Sequence, residues 1–183
     1  MKLFSLPYLA YSRIITSMNP IEIESKVEGQ VSTSLNIFRS DRLIVYKPYW
    51  ITRENFLGFN GKFLCFVHTN TTVDIELVIE FIKQWKNGNN TKLAALLMSE
   101  VPQEVINRDR FISEFDAKPW DPKRRERCYI YEKEITDKED VVSDLSEGLD
   151  FERDDGLLAT INIIPPHTLF QFFVWHKRFT VAE

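Results

Sequence analysis

Apolar residues Val73, Leu77, Val78, Phe81, Ile82 and Trp85 recur at intervals of three and four, which predicts a long amphipathic helix with one buried stripe. Thr71 stands three residues before Asp74 as a capping-box pair, and Asp74 and Glu76 lie near the positive end of the helix. Lys83 and Lys86 fall in the last turn, and Gly88 supplies a left-handed stop. After the polar turn Asn89-Asn90-Thr91, Leu93–Met98 reads as a buried strand. A shorter unit of the same kind precedes it. Thr52–Phe59 predicts a helix capped by Thr52, Asn60-Gly61 ends it, and Lys62–Val67 is apolar on both faces, as a central strand must be. Val31–Tyr46 has strand character, with Leu35 and Ile37 alternating against Ser34 and Asn36, a turn at Ser40-Asp41 and a second apolar run at Leu43–Tyr46.

The helix-then-strand pattern therefore occurs twice, and Leu93-x-x-Leu96-x-Met98 resembles the strand of a leucine-rich repeat. Val101 stands where that repeat expects Asn. Two units are too few for a free solenoid, so other elements must cover the ends. Val101–Arg110 predicts a helix with Val105 and Ile106 on one face. Phe115–Arg127 reads as a loop ending in the basic run Lys123–Arg127. Cys128–Tyr131 is a short strand, and Lys133–Glu147 an acidic loop with a turn of helix. The basic run followed by the acidic run fits a binding surface or, as is commoner for such runs, a solvated face. The tail is β. Leu149–Arg153, the turn Asp154-Asp155-Gly156, Leu157–Ile164 and Leu169–Trp175 predict an antiparallel hairpin or meander. In its last strand Phe170, Phe172 and Val174 share one face, and Leu169, Phe173 and Trp175 the other, so both faces need cover. The fold class is α/β (α+β), with leucine-rich-repeat-like helix/strand units and a C-terminal antiparallel β-hairpin or meander.

At the N-terminus, Leu3–Met18 reads as a helix that is apolar on more than one side. Asn19-Pro20 stops it and, with Glu22, caps a second helix that fades in the polar stretch 24–30. Two readings fit: a helical hairpin packed on the core, or an exposed docking element.

Composition narrows the function. The chain has 183 residues, is 44% hydrophobic and 13% aromatic, and carries a net charge of −4. It is long enough for one real core and gives no reason to expect nucleic-acid binding. Met1–Ser17 is broken by Ser5, Pro7, Ser12 and Arg13 and does not read as a signal peptide, and no run is long enough for a membrane helix. Cys65 and Cys128 form no metal or redox motif, pointing to a reducing, cytoplasmic or nuclear setting. His68, His167 and His176 have no metal-ligand spacing. No cofactor motif, phosphate loop or nucleophile elbow occurs. Asp154-Asp155, which with His167 would be the one candidate acid group, is better explained as turn chemistry. The residues point to a non-catalytic binding protein.

Several segments resemble the nematode F-box protein family with a type 2 F-box-associated domain. Leu6-Pro7-Tyr8-Leu9, Ile14-Ile15 and Ser17–Glu22 resemble the opening of the F-box. Ile51–Leu57, Val73–Trp85, Asn87-Gly88-Asn89 and Lys92-Leu93 resemble the associated domain. Gly148–Phe151, Arg153, Asp155-Gly156, Ala159-Thr160-Ile161 and Val174-Trp175 resemble its C-terminal hairpin. The resemblance implies a partial F-box-like helical segment over 1–30 and an associated α/β domain over 31–183, with a core near 47–110 and a β meander near 128–176. It also implies a substrate receptor of a Skp–cullin–F-box ubiquitin ligase, with Leu6, Pro7, Leu9, Ile14, Ile15, Met18 and Pro20 facing the Skp adaptor and the α/β part holding a target protein. The apolar, Cys- and Ser-rich continuation of an F-box is missing after Glu22. The alternative is a stand-alone α/β interaction domain with a degenerate F-box that no longer binds the adaptor.

Overall fold

Phe63-Leu64-Cys65-Phe66-Val67 has no polar side chain and no helical period, so it is stable only with both faces covered. In a computed structural model of the chain it is strand β3 (Phe63–Val67), with every residue buried. The structure describes residues 22–23, 36–69, 73–132 and 141–179.

Two parallel neighbours flank β3, and a third parallel strand lies beyond one of them. In register, β2 (Arg42–Tyr46) pairs on one side and β4 (Ala95–Met98) on the other, and the short edge strand β1 (Glu22–Ile23) pairs with β2. Helix α1 (Arg53–Leu57) crosses from β2 to β3, and helix α2 (Ile75–Lys86) from β3 to β4. The helix/strand repeat is therefore real: successive strands advance in order, and both helices bury their residues in the core on one face of the sheet. The sheet then changes sense. Strand β10 (Leu169–Trp175) lies antiparallel to β4, followed by β9 (Leu158–Ile164), β8 (Leu149–Glu152) and β5 (Lys118–Pro119). The eight strands run in the order β1-β2-β3-β4-β10-β9-β8-β5.

Each face has its own cover. Phe170, Phe172 and Val174 join α1, α2 and helix α3 (Arg108–Phe115) in the larger core. Leu169, Phe173 and Trp175 face a ribbon of β6 (Cys128–Ile130) and β7 (Val142–Asp144), which delivers Tyr129, with Tyr131 and Leu145 just beyond its strands. Tyr129 lies 4.7 Å from the Phe173 ring and 5.2 Å from Trp175. The alternation along the last strand thus assigns its two faces as expected.

Five local expectations change. Asp74, not Thr71, is the N-cap of α2, accepting from the Leu77 N–H at 2.7 Å; Thr71 lies outside the described residues. Asn36–Arg39 is a 3-10 turn rather than a strand, and the rest of the predicted alternation, residues 31–35, lies outside the described residues. The 101–110 helix divides into a 3-10 turn (Gln103–Ile106) and α3, which Asn107 caps through the Arg110 N–H at 3.2 Å. Val142–Asp144, expected as loop, is a strand. The predicted helix from Asn19-Pro20 also does not reach Glu22–Ile23, which instead pairs with Ile44 and Val45. The open edge of β2 offers a full ladder of backbone partners, whereas the polar 24–30 stretch offers a helix little apolar surface.

Candidate functional site

The predicted adaptor-facing residues Leu6, Pro7, Leu9, Ile14, Ile15, Met18 and Pro20 all lie outside the described residues. The two segments that carry the family resemblance most specifically lie within them, and they touch. The end of α2 is closed by Gly88 at φ +92°, with the Gly88 N–H on Trp85 O and the Asn89 N–H on Gln84 O, both at 3.0 Å. That pairing satisfies carbonyls the last turn would leave open. The hairpin from β8 to β9 sets Arg153 beside it. Its guanidinium carbon sits 5.2 Å over the Trp85 ring, and its Nη1 donates to Trp85 O at 3.5 Å. The Trp85 ring stands edge-on to Phe172 at 5.3 Å and to Phe151 at 6.0 Å.

Asp155 serves the turn. It accepts from Arg153 Nε at 3.0 Å and from the Leu157 N–H at 3.1 Å. The Arg153 guanidinium, then the backbone N–H, holds its carboxyl well down, at about 2. His167 lies on the 3-10 turn Pro165–His167, at the far end of β9 from Asp155. The seven-residue strand between them spans roughly 20 Å. The structure therefore does not bring Asp154, Asp155 and His167 together.

A cavity of about 280 Å³ opens where α1 and α2 end, at the N-terminal end of β3 and β4. Leu57, Phe59, Phe81, Gln84, Trp85 and Asn90 are among the residues that line it. Gly61 fixes the wall, because a Cβ there would lie 2.2 Å from Ser40 O and 2.4 Å from the Phe59 ring. Asn90 is left-handed at φ +46° and donates through Nδ2 to Phe59 O at 3.3 Å and Gly61 O at 3.0 Å. Two carbonyl partners leave its amide one orientation, so Oδ1 must point away from them. That Oδ1 and Trp85 Nε1 are both buried without a protein partner. Sequence reasoning took Asn89-Asn90-Thr91 as a plain polar turn. The available signal was an Asn next to a helix-ending Gly, the residue type most tolerant of a left-handed backbone.

The opposite end of these strands forms an exposed polar rim. Lys47, His68 and Glu100 follow β2, β3 and β4, Thr168 precedes β10, and all four have φ between +46° and +61°. His68 Nδ1 lies 2.5 Å from Glu100 Oε1. Open parallel sheets bind ligands at this end, and here it presents cationic and anionic side chains in a row.

The described residues also hold one buried charge network. Arg125, expected on a solvated face, is fully buried. Its Nε donates to both Asp150 oxygens at 2.9 and 3.0 Å, its Nη2 to Leu145 O and its Nη1 to Glu126 O, each at 2.8 Å. Thr160 Oγ1 donates to Asp150 at 2.6 Å and accepts from Trp175 Nε1 at 2.8 Å. Every polar group is paired, so this is a structural tie between the basic segment and β8, β9 and β10. Among the described residues no three His, Cys, Asp or Glu side chains gather as metal ligands, and no helix is long and apolar enough to cross a membrane.

No family model and no solved structure matches the chain. It is similar to two proteins of Caenorhabditis elegans. Uncharacterized protein F59B2.8 is 29% identical over 162 residues, covering 87% of this chain and 35% of that protein. Uncharacterized protein F59B2.9 is 30% identical over 176 residues, covering 87% of this chain and 37% of that protein. The chain thus spans little more than a third of the length of the curated relatives it matches.

Proposed function

We propose that the chain is a non-catalytic protein-binding substrate receptor of the F-box type, in which the Leu-Pro-led N-terminal segment engages a Skp adaptor and the α/β part holds a target protein. One observation carries the reading. The helix ending in Trp85-Lys86-Asn87-Gly88 and the Arg153–Ile161 hairpin, which separately resemble an F-box-associated domain, meet through Arg153 and Trp85 as parts of one core. The test is capture of a purified Skp adaptor by the intact chain, compared with Leu6→Asp plus Ile14→Asp. Binding by the wild type that the double variant loses supports the receptor. A wild type that captures nothing removes the ligase connection.

A second reading has its own observation. Glu22–Ile23 ends the F-box-like stretch yet forms the edge strand of the large sheet. A segment committed to the core in this way suits a stand-alone α/β interaction domain whose degenerate F-box has become part of the fold.

A further inference from the structure

We propose that Asn87 is a site of spontaneous deamidation, gated by opening of the last turn of α2. The chain holds two Asn-Gly pairs, Asn60-Gly61 and Asn87-Gly88. In such a pair the glycine backbone nitrogen attacks the side-chain carbonyl carbon of the asparagine. The new C–N bond closes a succinimide ring, and ammonia leaves. Water then opens the ring at either carbonyl, giving Asp or, where the main chain now runs through Cβ, isoaspartate. One water enters and one ammonia departs. Glycine favours the step because no Cβ shields the attacking nitrogen.

The fold separates the two pairs. Both asparagines are exposed, but their glycines differ. Gly61 is buried, its carbonyl accepts from Asn90 Nδ2 at 3.0 Å, and a Cβ there would lie 2.2 Å from Ser40 O. The Asn60 N–H is tied to Phe38 O at 3.4 Å. Bringing the Gly61 nitrogen onto the Asn60 side chain therefore disturbs the entry to β3, where Phe63 is fully buried. Gly88 is exposed, with no atom within 4 Å of where a Cβ would sit. While the helix end is closed, Asn87 is held at φ −80° and ψ 10°, and the Gly88 N–H is engaged on Trp85 O. That end rests on this bond and on the Asn89 N–H to Gln84 O, and frayed helix ends open at far lower cost than core strands. Opening frees the nitrogen and lets Asn87 turn towards it. Either product sets a carboxylate at the negative end of α2. Isoaspartate also lengthens the main chain by one atom and so displaces the Gly88 and Asn89 N–H groups from their carbonyls. Gln84, Trp85 and Asn89 line the cavity, so the reaction loosens that wall. The inference is independent of the receptor reading.

The test ages the intact chain in mildly alkaline buffer at body temperature. Peptide mapping by mass spectrometry follows the change from amide to acid at each asparagine, and labelling by an isoaspartyl methyltransferase marks the rearranged product. Asn87 should convert at least about tenfold faster than Asn60 in the folded chain, because only its glycine is released by local opening. In denaturant, where both pairs are equally open, the two rates should draw together. Asn87→Gln, whose longer side chain has to close a less favourable ring, should stop the reaction at that position. Its unfolding midpoint should then hold through the ageing that lowers the midpoint of the wild type. Equal or faster conversion at Asn60, no conversion at Asn87, or the same ratio of rates in denaturant as in the folded chain overturns the proposal. An aged wild type that carries isoaspartate at position 87 with an unchanged midpoint overturns the claimed loosening of the helix end.

Discussion

Trp85 is the residue on which most of the molecule converges. It sits in the apolar stripe of α2, is 1% exposed, touches Phe151 and Phe172 from the antiparallel half of the sheet, and lies under Arg153. Trp85→Ala should therefore cost ~3–5 kcal/mol in denaturant unfolding, and a cost under ~1 kcal/mol would mean the stripe is not packed. Its burial was legible from helical spacing alone. Arg125 was not, because it sits in a run of five charged residues, and its partner Asp150 is 25 positions away. A faint signal existed on the other side: Asp150, Thr160, Asn162 and Gln171 are polar positions set among apolar strand residues, and all four are buried. Asp150→Asn leaves the Arg125 charge buried and uncompensated, and should cost ~3–5 kcal/mol. Replacing both partners, as in Arg125→Met with Asp150→Leu, should cost clearly less than the two single changes summed, and strict additivity would deny the pairing. Asp155 makes the pH prediction. Its folded value of about 2 lies below its ordinary 3.8, so the unfolded chain binds the proton more readily. The contribution is fully present above about pH 4 and is lost as the pH falls towards 2. Asp155→Asn should flatten the acid limb of the stability profile over that window, most clearly at low salt, since the group is exposed.

The individual elements were legible wherever local chemistry decides them. The Gly88 stop of α2, the Thr52 cap of α1 and the Asp155-Gly156 turn each rest on contacts within a few residues. Thr52 Oγ1 accepts from the Asn55 N–H at 3.2 Å while Asn55 Oδ1 accepts from the Thr52 N–H at 3.3 Å, a capping box that uses Asn in place of the usual Glu. The start of α2 was misplaced because both Thr71 and Asp74 are good caps, and which one serves depends on where Val73 is drawn into the core. Asp74→Ala should lower stability by ~1 kcal/mol through the lost bond to the Leu77 N–H. Thermal or denaturant unfolding of the variant checks this, and an unchanged midpoint would mean that the helix begins elsewhere. The misread pieces, Asn36–Arg39, Gln103–Ile106 and Val142–Asp144, are all four residues or fewer. Elements of that length take their shape from what they dock against and carry almost no periodicity of their own.

At the scale of the whole molecule, the parallel and antiparallel halves were each readable, but their junction was not. Strand β4 meets β10 through pairs such as Met98 with Phe170, and no local pattern announces a contact between segments so far apart in the chain. The same holds at the other edge, where Glu22–Ile23 completes the sheet beside β2. That edge separates the two functional readings. If the first 25 residues serve only to dock a partner, deleting them should leave unfolding of the remaining chain unchanged and its solubility raised, because apolar side chains are removed from water. If β1 is part of the architecture, deletion exposes the backbone ladder of β2, whose Leu43, Ile44 and Val45 are all buried in the intact fold. A bare edge of that composition pairs with other chains. The contacts of Glu22 with Ile44 and of Ile23 with Val45 favour the second outcome: a lowered unfolding midpoint together with concentration-dependent association, measured by denaturant titration and sedimentation. Restoring only residues 20–25 should then recover the unfolding midpoint and remove the association without recovering adaptor capture, and recovery of neither would mean that Glu22–Ile23 alone does not hold the edge.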